Sequence, residues 1–171
     1  MTIVSKKVCL LGDSAVGKTS LLRRFVYSQF NDTYVSTSGV KVSRKTVAVH
    51  RADDIVEVTM MLWDTADHEE FDQVWASYLR GTAGAVLVCD LTRPDTLDNF
   101  GPYAEAVLST SPRAQLILAG NKRDLADQRK LDRAQLEAIA ANLNAPYYLT
   151  SAKTNDNVDD LFRHMGRLLL L

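Results

Sequence analysis

The runs "VCLL", "AVLVC", "QLILA" and, more weakly, "YYL" are apolar on successive residues rather than on alternate ones. A strand carries apolar side chains on both faces when both faces are covered, and helices crossing over between parallel strands supply that cover. Short β-rich runs recur at "KKVCLLG", "VKVSRKTVAVH", "VEVTMMLWD", "AGAVLVCD", "AQLILAG" and "APYYLTS", and most of the gaps between them hold a helix-length stretch. This alternation predicts an α/β chain with a mainly parallel sheet. The second and third runs alternate more and are joined by the short polar link "RADDI", so they predict an antiparallel hairpin toward one edge. Start signals and periodicity predict helices over 17–28, 73–80, 95–110, 132–142 and 157–170. In such a sheet a ligand binds at the loops that leave the carboxyl ends of the parallel strands.

A chain of 171 residues, 46% hydrophobic and 24% charged, has the size and composition of one globular domain spanning 1–171. With Lys+Arg 20 against Asp+Glu 21 the net charge is -1, which gives no general attraction to nucleic acid or anionic lipid. Cys9 and Cys89 lie inside apolar runs and read as buried thiols, which suits a reducing, cytoplasmic location. The start "MTIVSKKVCLLG" lacks a leader pattern, the final "RLLLL" is too short for an anchor, and no terminal cysteine offers a prenylation signal, so no membrane anchor is expected.

Between the first apolar run and the first predicted helix stands "GDSAVGKTS", which fits G-x-x-x-x-G-K-[ST] through Gly12, Gly17, Lys18 and Thr19. The strand and helix on either side are the context that the pattern requires. Glycine lets the backbone close around a phosphate, the helix N-terminus presents N–H groups to it, and Lys18 adds a cation. Thr19 offers a hydroxyl to Mg²⁺ held by the phosphates.

The base is addressed by a second loop, "NKRD", after "AQLILAG". The Asp124 carboxylate, in the plane of a purine, can accept from both N1–H and the 2-amino group of guanine. Adenine has neither donor, and leaving the charge unpaired beside it rejects ATP. A third loop, "SAK", supplies Ser151, Ala152 and Lys153 after the last strand.

With "GDSAVGKTSLLRRF", "WDTA", "NKRD" and "TSAK" in this order, the chain resembles the small GTPases of the Ras superfamily, most similarly the Rab branch, over residues 6–168. The resemblance implies a three-layer P-loop G domain with a six-stranded sheet, one antiparallel edge strand and five helices. It implies GTP and GDP as ligands, Mg²⁺, and two loops that respond to the γ-phosphate. By matching position, phosphate contacts fall on Gly12, Ser14, Ala15, Val16, Gly17, Lys18, Thr19 and Ser20, with the N–H of Asp67. Guanine contacts fall on Phe30, Asn121, Lys122, Asp124, Ser151, Ala152 and Lys153. Thr19, Thr37 and, through water, Asp64 serve the metal, while Lys18, Thr37 and His68 occupy the catalytic positions. Trp63 and Tyr78 match aromatic positions that effector proteins touch, although core packing explains Trp63 equally well.

Two departures from the family stand out. Its D-T-A-G-Q is D-T-A-D-H here, so Asp67 places a carboxylate beside a polyanion, a repulsion of about 4 kcal/mol at 4 Å and an intermediate dielectric. His68 replaces the glutamine that orients the attacking water, without the amide's paired donor and acceptor. Glu69 and Glu70 read as a solvated helix start. In "STSGV" and the strand after it, Ser38 replaces an isoleucine and Val42 an aromatic residue of the Rab pattern. Three readings follow: a slowly hydrolysing GTP/GDP switch, a guanine-nucleotide-binding scaffold that has lost the cycle, and a P-loop kinase or ATPase. The "NKRD" and "SAK" pair disfavours the third.

Overall fold

A computed structural model describes residues 2–31, 40–65 and 73–171, without the side chains of Gln73 and Val74. In chain order the elements are β1 (Thr2–Leu11), α1 (Lys18–Tyr27), β2 (Val40–Arg51), β3 (Asp54–Thr65), α2 (Gln73–Tyr78), β4 (Thr82–Asp90) and α3 (Asp95–Asp98). They continue with α4 (Phe100–Thr110), β5 (Gln115–Asn121), a 3₁₀ turn at Ala126–Gln128, α5 (Arg133–Asn142), β6 (Tyr147–Leu149) and α6 (Val158–Leu168). The strands form one sheet in the order β2-β3-β1-β4-β5-β6. Every neighbouring pair is parallel except β2 with β3, the expected edge hairpin.

The uninterrupted apolar runs are buried on both faces, as their pattern requires. Val8, Leu10, Val86, Val88 and Ile117 point to one side, where Leu21 and Phe25 of α1 meet Leu161, Phe162 and Met165 of α6. Cys9, Leu11, Leu87 and Leu118 point to the other side, against Trp75, Phe100, Val107 and Leu136. Both cysteines are free and buried. Burial, and then the charge of Asp90, push the Cys89 thiol up to about 12.

Helix ends follow local chemistry. Asp132 and Gln135 cap α5 reciprocally, the Asp132 side chain accepting from the Gln135 N–H and the Gln135 side chain from the Asp132 N–H. In α6, Asp159 and Asp160 occupy the first turn and Arg167 the last, which complements the helix dipole.

Beyond shifts of one or two residues at helix ends, three features differ from the sequence reading. β1 begins at Thr2 rather than Lys6 because it continues to pair with β3 from Thr2↔Val56 onward. The hairpin link shrinks to Ala52 and Asp53, with Ala52 at φ 49. The helix expected over 95–110 is two, broken at Asn99, where φ is -87 and ψ is 0. Pro102 explains the break, since its nitrogen cannot donate to the Asp98 carbonyl and its ring would collide with that carbonyl in a continuous helix. Pro102 sits instead in the first turn of α4, where it is tolerated.

The Phe25 and Phe162 rings stack at 4.2 Å between centroids, 8° from parallel, at the centre of the α1/α6 layer. Phe162→Ala should lower unfolding stability by about 3–5 kcal/mol, measured by urea denaturation; a loss below about 1 kcal/mol would mean that this layer is not where the fold is held.

Candidate nucleotide site

β1, β4, β5 and β6 are parallel, so the loops that follow them gather at one edge of the sheet. The first loop, 12–17, wraps the start of α1. Gly17, at φ 105, is the residue before the helix, and a Cβ there would lie 2.2 Å from the Asn121 Nδ2. A Cβ on Gly12 would lie 2.3 Å from the Val88 carbonyl oxygen. Both positions therefore demand glycine for space, and Gly17 also for its left-handed conformation. Ala15 takes φ 61 without that freedom, so its conformation is held by its surroundings.

The surroundings are specific. Asn121 donates from Nδ2 to the Val16 carbonyl at 3.0 Å and accepts at Oδ1 from the Thr150 hydroxyl at 3.1 Å. Lys122, at φ 68, donates from Nζ to the Ala15 carbonyl at 2.8 Å. Lys18, only 6% exposed, folds its ammonium over the Gly12 and Asp13 carbonyls at 2.7 and 3.0 Å. The Thr19 hydroxyl donates to Asp64 Oδ2 at 2.6 Å, and Asp64 is 2% exposed at the end of β3. Hydroxyl and carboxylate oxygens are what Mg²⁺ prefers, and it is commonly held by one or two such groups plus phosphates rather than by an all-protein cage. Among the described residues no cluster of three or more His, Cys, Asp or Glu forms such a cage. The residues present fit a Mg²⁺ ion shared with a nucleotide.

The second and third loops are joined backbone to backbone. The Arg123 N–H donates to Thr150 O at 2.9 Å, and the Thr150 N–H to Gly120 O at 2.8 Å. Ser151 donates from Oγ to Asp124 Oδ1 at 2.7 Å and accepts from the Thr154 N–H, which sets the carboxylate's direction. Arg24 of α1 donates to the carbonyls of Ala152 at 2.7 Å and Lys153 at 2.9 Å. Phe30, partly buried, packs on the α1/α6 core and lines a depression with Arg23, Gln29 and Asn31. Ser14 is brought in through its carbonyl, which accepts from Arg93, and Ser20 lies in the first turn of α1.

Thus the three loops read from sequence converge. Thr37, Ser38, Asp67, His68, Glu69 and Glu70 lie outside the described residues. Trp63 is half-buried, packed on the second core with the Lys7 ammonium 3.8 Å from its ring centroid. Lys7 also donates to the carbonyls of Tyr78 and Arg80, which ties β1 to the end of α2.

Several contributors were not read from the sequence. Asp13 accepts from Asn99 Nδ2 at 2.8 and 3.0 Å and from the Tyr103 hydroxyl at 2.9 Å, so the break between α3 and α4 faces the first loop. Asp90 joins Lys122 and Arg93, with Oδ2 2.8 Å from Lys122 Nζ and 3.1 Å from Arg93 Nε, while Oδ1 accepts twice from Thr92. A charged residue closing the apolar run "AVLVCD" was the available signal for Asp90. Arg24 and Arg93 carried none, because each acts across the fold.

This is the construction of a P-loop protein that binds a purine nucleotide. The chain belongs to the Ras family, whose sequence model matches residues 7–170, and it is a Rab-like small GTPase that hydrolyses GTP to GDP. It is 36% identical to the Ras-related protein Rab-13 of Rattus norvegicus over 166 residues, 96% of this chain and 80% of that one. It is 38% identical to the Ras-related protein SEC4 of Saccharomyces cerevisiae over 95% of this chain and 74% of that one. To the GTP-binding protein ypt5 of Schizosaccharomyces pombe it is 38% identical over 98% and 79%.

Burial alone would raise the Asp90 carboxyl, but hydrogen bonds from Lys122 and Thr92 and the Lys122 charge outweigh it and hold the group below its ordinary 3.8. A depressed folded value stabilises the fold above the ordinary value, and that contribution is lost as pH falls through the folded value. Asp90→Asn should therefore cost about 1.5–3 kcal/mol at neutral pH and flatten the loss of stability on acidification below about pH 4. Denaturation midpoints at a series of pH values check this, and an acid limb as steep as that of the parent would refute it.

Proposed function

We propose that the chain is a GTP/GDP switch of the trafficking or signalling kind, cytoplasmic, with slow intrinsic hydrolysis and with protein partners that read the Trp63 and Tyr78 region. The observation that carries this reading is the Asn121 bridge, which locks the guanine-reading loop to the phosphate loop. Asp124, oriented by Ser151, accepts from guanine, and the N–H of Ala152 meets the guanine oxygen. Asn121, Lys122 and Lys153 frame the base, and Phe30 packs against it. Lys18 leaves its two backbone carbonyls for the phosphates, which offer more negative charge. Thr19 and Thr37 supply oxygens to Mg²⁺ and Asp64 reaches it through water; the ion neutralises phosphate charge when bound.

The protein as purified should carry guanine nucleotide, identified by chromatography after denaturation. Asp124→Asn should move preference toward xanthine nucleotides, because the 2-oxo group needs a donor. Lys18→Ala and Thr19→Ala should each weaken nucleotide and Mg²⁺ retention. ATP competing with GTP at equal concentration would sink the assignment.

Asp67 and His68 favour a second reading, a nucleotide-binding scaffold with little cycle. A carboxylate at position 67 opposes approach of its own N–H to a γ-phosphate, and GDP lacks the group it repels, so the penalty falls mainly on the GTP state. Asp67→Gly should restore preference for GTP over GDP, His68→Gln should speed hydrolysis, and the pair should act more than additively, since one places the loop that the other uses. Single-turnover hydrolysis on the four proteins tests this. Faster turnover by the parent than by the double variant would instead make Asp67 or His68 an unusual base.

A further inference from the structure

Three successive carbonyls of the first loop are each taken by a side chain from outside the loop. Ser14 O accepts from Arg93 Nη2 at 2.7 Å, Ala15 O from Lys122 Nζ at 2.8 Å, and Val16 O from Asn121 Nδ2 at 3.0 Å. In a trans peptide the N–H of the next residue points opposite to the carbonyl. No cis bond occurs in the described chain. The three donors therefore aim the N–H groups of Ala15, Val16 and Gly17 away from themselves and toward the inside of the loop.

We infer that Arg93 is a positioning residue for phosphate binding: it holds the Ser14 carbonyl outward and thereby aims the Ala15 N–H at the nucleotide's phosphates. This rests on the nucleotide site proposed above and assigns a role to a residue outside the loops that carry its motifs. The guanidinium is suited to the task because two of its nitrogens are used in a fixed fork. Nε pairs with Asp90 at 3.1 Å and Nη2 reaches Ser14. Its own backbone is also fixed, the Arg93 N–H donating to Asp90 O at 2.9 Å and the Arg93 carbonyl accepting from the Thr96 hydroxyl at 2.7 Å. The need for a clamp is visible one residue on, where Ala15 holds φ 61, a conformation that a side-chain-bearing residue keeps only when its neighbours impose it. Asp90 serves both cations, so the pull on Ser14 and the pull on Ala15 share one anchor.

The Arg93 side chain is 38% exposed, so its replacement leaves the core intact. In Arg93→Ala, release of a fluorescent GDP analogue should be about tenfold faster, the consequence of one lost charge-assisted hydrogen bond. The dissociation constant of GDP, obtained from competition after allowing for the analogue's own weaker binding, should rise by a similar factor, while that of guanosine, which has no phosphate, should be unchanged. The amide resonance of Ala15 in the GDP-bound protein should shift, with that of Gly17 staying in place. Arg93→Lys, whose point charge cannot span both partners, should fall between the two. Equal weakening of GDP and guanosine would mean a merely structural role, and unchanged GDP release would likewise overturn the inference. Lys18→Ala separates it from the reading beneath it. Weakened retention in Lys18→Ala with parental release in Arg93→Ala rejects only the role of Arg93, whereas parental retention in both rejects phosphate binding by the loop itself.

Discussion

The Asn121 side chain joins the three loops of the site. The residue ends β5 where the second loop begins, its Nδ2 donates to the loop after β1, and its Oδ1 accepts from Thr150 after β6. At 2% exposure, either half of the amide left unpaired would cost about 1–3 kcal/mol, so all three loops must keep their relative positions or lose a buried hydrogen bond. The constraint reaches back into the sequence. Gly17 has no room for a Cβ because Nδ2 occupies that space, and Asn121 is the last residue of β5, in register with Asp90 on β4. Strand register, a glycine and a base-reading motif thus depend on one amide.

The same edge of the sheet holds several carboxylates close to where an anion would bind, an arrangement that costs energy unless each is committed elsewhere. Asp13 is turned to Asn99 and Tyr103, Asp90 to Lys122, Arg93 and Thr92, and Asp64 to the Thr19 hydroxyl. Each acid is thereby made a fastening for the loop rather than a repulsion against its ligand. Asp124 is the exception that recognition needs: Ser151 occupies one of its oxygens and orients the group.

What the sequence revealed and what it hid divide along a physical line. Unbroken apolar runs announced the doubly covered strands, and alternation announced the hairpin, because burial pattern is local information. Motif residues were legible for a similar reason: Gly12, Gly17, Lys18, Asn121 and Asp124 sit at spacings set by one turn of chain. The break at Asn99 was legible in principle through Pro102, whose ring does not fit the interior of one continuous helix over 95–110. Arg24 and Arg93 were not legible at all. Arg24 meets carbonyls 128 and 129 residues away, and Arg93 meets one 79 residues away, so their partners exist only once the sheet has been assembled.

The register of the edge hairpin places the two divergent segments on a common support. Val40, the residue after 32–39, pairs with Thr65, the residue before 66–72. Thr65 is fastened to β1 through its hydroxyl on the Leu10 carbonyl at 3.3 Å, and its neighbour Asp64 is fastened to Thr19. The Thr19 end of the site is thus joined to the roots of both segments through one ladder pair. Two rungs on, Val42 pairs with Trp63, so a residue that departs from the Rab pattern stands beside one that keeps it. Val42 is 47% exposed, and it gives a partner a smaller apolar contact than an aromatic ring would, next to an indole already engaged by the Lys7 ammonium.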